Sequence, residues 1–170
     1  PNRFNDGKCD PYGRFLAGTC YTPAEPKDIM GGFYSVKNGK SRVLLDNISI
    51  SNGLTFSRDN KTLYYIDSLK CVDHYYDYDK CGNLSNEDIV YVLPKEEGIL
   101  DGMTIDTNGN LWIAIFTGGK VICVDPVKKE RIAEIIVPAN KVTCPTFGGK
   151  DYKTLFITTA WEGNSPDERK

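Results

Sequence analysis

Three positions in this 170-residue chain carry residue types that a hard cation takes as ligands: Asp6, Asn52 and Asp101. Each is followed by glycine, and the steps between them are 46 and 49 residues. Calcium is held by about six to eight oxygens from carboxylates, amide carbonyls and water. A single Asn-Gly or Asp-Gly pair is an ordinary turn dipeptide. Three pairs at one repeat length can instead meet at a common axis, with each glycine letting the backbone approach closely. Arg3 and Asn5 stand just before Asp6 in the same segment. A guanidinium fork and an amide beside a metal-bound carboxylate suit an anionic or hydroxyl-rich ligand. Asp6, at the same phase, is expected to contact ligand or water.

Other chemistries find less support. His74 is the only histidine, and it sits in an alternating run, Val72 to Asp79, far from these segments. No base for a Ser-His-Asp triad is therefore in place. There is no P-loop, no GxGxxG after a strand and no EF-hand spacing. Glu87-Asp88 and Glu96-Glu97 read as solvated surface. The six cysteines form neither a CxxC nor a Cys/His metal spacing. Cys9, Cys20 and Cys123 fall in apolar strand patterns and read as packed, reduced thiols in a cytoplasmic setting. A Cys71–Cys81 bridge across one hairpin is the exception the spacing permits. With 21 Lys+Arg against 23 Asp+Glu, no basic excess exists to neutralise phosphates, so nucleic acid is not an expected partner. The longest apolar run, Leu111 to Phe116, is too short to cross a membrane as a helix.

The elements that must position the three oxygens are strands. No window shows sustained helical spacing of apolar residues, and short β-rich runs alternate with Gly, Asp and Asn. Turns at Asp10, Asp59, Asp106 and Asp151 recur at steps of 49, 47 and 45 residues. Each precedes a strand: Gly13 to Gly18, Leu63 to Asp67, Leu111 to Phe116 and Thr154 to Thr159. A second pair of strands follows the first three. The pairs are Gly32–Val36 with Ser41–Leu45, Val72–Asp79 with Ile89–Leu93, and Gly119–Asp125 with Arg131–Val137. Four strands per unit at this period predict β-propeller blades rather than an evenly turned sandwich. The expected fold is all-β, with about three complete blades and part of a fourth. Residues 1–170 then form part of a single propeller domain. The chain starts at Pro1 and stops in a charged tail, and it reads as the middle and later part of a longer protein. The rest of the same propeller would be its structural partner.

These segments together carry a resemblance. The chain resembles the regucalcin or senescence marker protein family, which includes gluconolactonases and luciferin-regenerating enzymes. The resemblance runs from Asn2 to about Trp161. It rests on Asn2-Arg3-Phe4-Asn5-Asp6-Gly7-Lys8, Ile50 to Leu54, Tyr64 to Ser68, Asp77-Tyr78-Asp79, Asp101 to Asp106 and Phe147 to Lys150. It implies a six-bladed β-propeller with one divalent cation in its central channel, calcium first, with zinc, manganese or magnesium as substitutes. It also implies hydrolysis of a small sugar lactone such as gluconolactone. The family's Asn and Asp ligands fall on Asn52 and Asp101, and its third ligand, a Glu, would lie upstream of Pro1. Its substrate-contacting Arg and Asn fall on Arg3 and Asn5, and a further Glu falls near Glu25, where the local spacing is altered. Asp101 is then the candidate general base for the attacking water. A calcium-binding regulatory role, or the same scaffold acting on oxyluciferin or an organophosphate, remains open at this level.

Overall fold

The computed structural model describes residues 2–21, 30–161 and 163, and among them fourteen strands build four antiparallel sheets. The first sheet contains β1 (Asn2–Cys9), β2 (Phe15–Tyr21), β3 (Gly31–Lys37) and β4 (Lys40–Ile48). The second contains β5 (Ser51–Phe56), β6 (Thr62–Asp67), β7 (Val72–Tyr78) and β8 (Leu84–Val92). The third contains β9 (Ile99–Ile105), β10 (Leu111–Phe116), β11 (Lys120–Asp125) and β12 (Glu130–Ile136). A two-stranded sheet, β13 (Val142–Gly148) with β14 (Thr154–Thr159), completes the set. Within each sheet every strand pairs with its neighbour in sequence. The first strands β1, β5, β9 and β13 lie side by side from sheet to sheet. This propeller-like order brings equivalent positions of the repeat together. Among the described residues no helix is long and apolar enough to cross a membrane.

The repeated aspartates close the first turn of each unit. Asp10 accepts hydrogen bonds from the N–H of Tyr12 and Arg14, and Asp106 from the N–H of Asn108 and Asn110. Asp59 accepts from Lys61 N–H, and Asp151 from Lys153 N–H. Such Asx turns are local, so the sequence specifies them directly. Asp10 does more. It also accepts from Arg14 Nε at 2.6 Å and from the Tyr78 hydroxyl of the next sheet. Arg14 Nη1 in turn reaches the Lys80 carbonyl at 3.0 Å. This buried network fastens the first sheet to the second.

Apolar faces fill the spaces between sheets. Leu16, Phe33, Leu54, Leu63 and Tyr65 pack between the first and second sheets. Ile66, Leu100, Met103, Leu111 and Ile113 pack between the second and third. The strands follow the predicted runs closely, except that β8 starts at Leu84, five residues before the expected Ile89. Cys20, Cys71 and Cys123 are buried, but Cys9 is exposed, because β1 presents almost all of its residues to solvent. Cys71 and Cys81 are not bridged. They flank opposite ends of the seven-residue β7, about 20 Å of extended chain that no disulfide spans. His74 lies on β7, with Nδ1 2.9 Å from Glu87 Oε1, and the Tyr76 hydroxyl donates to the same oxygen. Glu97 is no simple solvated carboxylate either. Arg131 and Lys120 both donate to it and pull its carboxyl down to about 2.

Asp73 on β7 is fully buried, and neither carboxyl oxygen has a well-aligned hydrogen-bond partner. Burial pushes its carboxyl well above the usual range. The folded state therefore holds this proton to higher pH than the unfolded chain does. That contribution is present below the ordinary Asp value and is lost as pH rises through the folded value. Asp73→Asn removes this titration. Urea unfolding between about pH 4 and pH 8 should show the variant gaining on the parent protein as pH rises. A gap that stays constant with pH would contradict the assignment.

Candidate metal centre

The positions in phase lie in strands, at irregularities, and not in turns. Pairing skips between Phe4 and Gly7 in β1, between Ser51 and Leu54 in β5, and between Leu100 and Met103 in β9. A fourth skip separates Val142 from Cys144 in β13. A bulge leaves its residues outside the ladder and re-aims their side chains. Asn5-Asp6, Asn52-Gly53 and Asp101-Gly102 are therefore bulge residues. The glycines do allow close approach, and at two of them the neighbour is the next first strand. A Cβ on Gly53 would sit 2.6 Å from the Asp101 carbonyl oxygen, and one on Gly102 would sit 2.6 Å from Cys144 Sγ. These two let neighbouring first strands approach one another, whereas a Cβ on Gly7 would meet Phe15 and the Leu16 carbonyl of β2 in its own sheet.

Arg3, Asn5, Asn52, Ser68, Asp101 and Phe116 line one cavity of about 310 Å³. Their hydrogen bonds form a chain. Arg3 Nη1 donates to Asn5 Oδ1 at 2.8 Å. Asn5 Nδ2 donates to the Ser51 carbonyl at 2.8 Å and to Asn52 Oδ1 at 3.3 Å. Asn52 Nδ2 donates to Ser68 Oγ at 2.8 Å, and the Ser68 hydroxyl donates to the Leu100 carbonyl at 2.7 Å. Asp6 is half-buried and accepts from the Gly7 N–H. It is not among the residues lining the cavity, yet its charge reaches Asp101. Burial first, then the Asp6 carboxylate, push Asp101 up to about 7, against an opposing hydrogen bond from Gly102 N–H. Burial raises Asp6 as well.

Glu25 lies outside the described residues. Ser68 escaped the sequence reading, because its partners are 16 and 32 residues away and no local spacing marks them. The donor set fits a hard cation in kind. Asn52 Oδ1 and the Asp101 carboxyl are oxygen donors on one cavity, and the Asp6 carboxyl adds negative charge at Asp101. It is incomplete in number. Among the described residues no group of three or more His, Cys, Asp or Glu side chains is placed to hold a metal.

Comparison with known proteins follows the same segments. A family profile for the SMP-30/Gluconolactonase/LRE-like region matches residues 1–161. Regucalcin of Danio rerio is 46% identical over 166 residues, covering 96% of this chain and 56% of that protein. A Bacillus subtilis protein, YvrE, named for a sugar lactone lactonase activity, is 46% identical over 169 residues, covering 98% of this chain and 57% of that protein. A solved calcium-binding protein, regucalcin of Agrobacterium tumefaciens, superposes with a TM-score of 0.89 at 32% identity, covering 98% of this chain and 56% of its own. The chain thus spans little more than half the length of the relatives it matches.

The electrostatics can be measured directly. Carboxyl carbon NMR of the metal-free protein should show Asp101 titrating near 7. Asp6→Asn should lower that midpoint yet leave it above the ordinary value of about 3.9, since burial is the larger cause. An unmoved midpoint would show that Asp6 does not act on Asp101.

Proposed function

The chain belongs to the SMP-30/gluconolactonase/LRE-like family, and from that premise we propose that it forms part of a divalent-cation-dependent hydrolase of sugar lactones. The observation that carries the reading is a single one. Oxygen ligands from two adjacent bulged strands, Asn52 and Asp101, open on the same cavity as Arg3 and Asn5. In this reading residues 1–170 are part of one six-bladed propeller, and a Glu from another part of the ring completes the ligand set. Calcium is the first choice of ion, in keeping with the description of the Agrobacterium relative as calcium-binding. Zinc, manganese and magnesium suit the same oxygens less specifically. The cysteine usage favours the cytoplasm.

When bound, the cation supplies Lewis acidity at the lactone carbonyl oxygen and makes water a better nucleophile at neutral pH. The chain's own groups do the rest. Asp101 orients the attacking water and takes its proton on a carboxylate oxygen. Arg3, with N–H groups beyond the one held by Asn5, binds sugar hydroxyls and offsets the charge that develops on the carbonyl oxygen. Asn5 commits Nδ2 to Ser51 and Asn52, and its Oδ1 accepts from Arg3 and from the Cys20 thiol at 3.8 Å, so a sugar hydroxyl meets Oδ1 by displacing that weak thiol contact. Asp6 acts on the site through its charge at Asp101.

The test is lactone hydrolysis in a pH-stat by the natively expressed protein. Gluconolactone turnover should be abolished by EDTA and restored by calcium. Asp101→Asn should lower kcat by about 100- to 10,000-fold. Calcium uptake with lactone loss no faster than in buffer would favour a calcium-binding regulatory role instead. Turnover of aryl phosphates or of an aromatic heterocycle, but not of lactones, would keep the scaffold and change the substrate.

A further inference from the structure

Ser68 is 1% exposed and opens the short 3-10 turn, Ser68–Lys70, that follows β6. Its main chain is fixed on both sides. The N–H donates to the Ile50 carbonyl at 3.0 Å, and the carbonyl accepts from Cys71 N–H at 3.0 Å. Cys71 closes the turn in the left-handed region, with φ of 56°. The side-chain oxygen is therefore delivered to one place, between two sheets.

A hydroxyl has one proton to give. The Leu100 carbonyl can only accept, so the Ser68 proton goes there, at 2.7 Å. The serine oxygen must then accept from Asn52, at 2.8 Å. Only one orientation of the Asn52 amide satisfies this. Nδ2 faces Ser68, and Oδ1 faces the opposite way, where Asn5 Nδ2 lies at 3.3 Å. The two ends of an amide are nearly identical in shape. Packing alone would not stop the group from turning N–H toward the cavity, where it would repel a cation. The same hydroxyl holds the main chain of β9 at Leu100, one residue before the Asp101 bulge.

We propose that Ser68 is a positioning residue of the cation site, fixing the Asn52 amide with its oxygen toward the ion and anchoring the strand that carries Asp101. The inference rests on the metal reading above and extends it to a residue on the same cavity wall whose oxygen is already committed to Asn52 and Leu100. Its partners belong to two sheets, so one buried side chain sets the relative placement of two ligands.

The test uses the natively expressed protein and calcium alone as probe. Calorimetry measures calcium affinity, and side-chain amide NMR follows Asn52 in the metal-free state. Ser68→Ala should weaken calcium binding about 10- to 100-fold, and Ser68→Thr, which keeps the hydroxyl, should return it to within about threefold. The metal-free melting midpoint of Ser68→Ala should stay within about 4 °C of the parent. The two Asn52 Nδ2 protons should have well-separated shifts in the parent and in Ser68→Thr, and should converge in Ser68→Ala. Calcium affinity unchanged in Ser68→Ala, or equal losses in both variants with the Asn52 signals unmoved, would overturn the inference alone. A parent protein that takes up no calcium would remove the metal reading and this inference together.

Discussion

Only a hydrogen atom fits between Gly53 of β5 and the main chain of β9, where a Cβ would lie 2.6 Å from the Asp101 carbonyl oxygen and 2.8 Å from Met103 N. Gly102 stands in the same relation to β13, against Cys144 and the Thr143 carbonyl. This contact sets how near successive first strands come, and so how near the bulge side chains of one sheet come to those of the next. A methyl group at either position would force main chain away from main chain, which rigid strands transmit along their length. The cavity, Asn52 and Asp101, and the amide chain all lie within a few residues of these contacts. Gly53 and Gly102 are therefore requirements of the packing between first strands before they are features of a site.

The same residue type serves two purposes according to how many donors surround it. Asp10 is desolvated, which raises its carboxyl. The Tyr78 hydroxyl, Arg14 and Tyr12 more than offset this and hold it below the usual range. Asp106 is likewise raised by burial and brought down by Trp112, Asn110 and Asn108. Both are saturated with N–H and O–H donors, and both hold turns. Asp101 is half-buried with a single N–H against it, and burial, with the charge of Asp6 adding to it, pushes its carboxyl up to about 7. A donor-poor carboxyl in a low-dielectric site calls for a proton or a cation. The turn aspartates have their partners built in. The bulge aspartates have fewer, and so does the buried Asp73 on β7, so scarcity of donors alone does not mark a site; what sets Asp101 apart is that it also opens on the cavity shared with Asn52 and Arg3.

Legibility in the sequence followed the range of the interaction. Asx turns reach two to four residues, so the turns at Asp10, Asp59, Asp106 and Asp151 could be read off, and with them the repeat and its strands. The phase of Asp6, Asn52 and Asp101 came with the repeat. What these residues do locally did not, because Asn-Gly in a strand bulge and Asn-Gly in a turn are spelled alike. Ser68 joins β6 to β5 and β9, and Tyr78 closes on Asp10 from 68 residues away. Neither leaves a periodic trace. Asp73 broke the pattern differently. A charged letter in an alternating run predicts a solvent-facing position, yet packing between the second and third sheets buries it completely.

The hydrogen-bond chain from Arg3 to Leu100 has one direction. It starts at a guanidinium, which only donates, and ends at a main-chain carbonyl, which only accepts. Every amide and hydroxyl between them is thereby assigned, and reversing one would require reversing all. Its links are not equal. Those at the Ser68 end measure 2.8 and 2.7 Å, while the link from Asn5 to Asn52 is 3.3 Å, long for an N–H···O bond. The strong end holds Asn52 before any ligand arrives, which reduces the ordering that binding would otherwise require. The weak end is where an ion approaching Asn52 Oδ1 would compete, and the group it would displace is the Nδ2 of Asn5. A cation taking that oxygen would give up the least valuable bond in the chain, while the Asn5 amide stays held by its other Nδ2 proton on the Ser51 carbonyl at 2.8 Å.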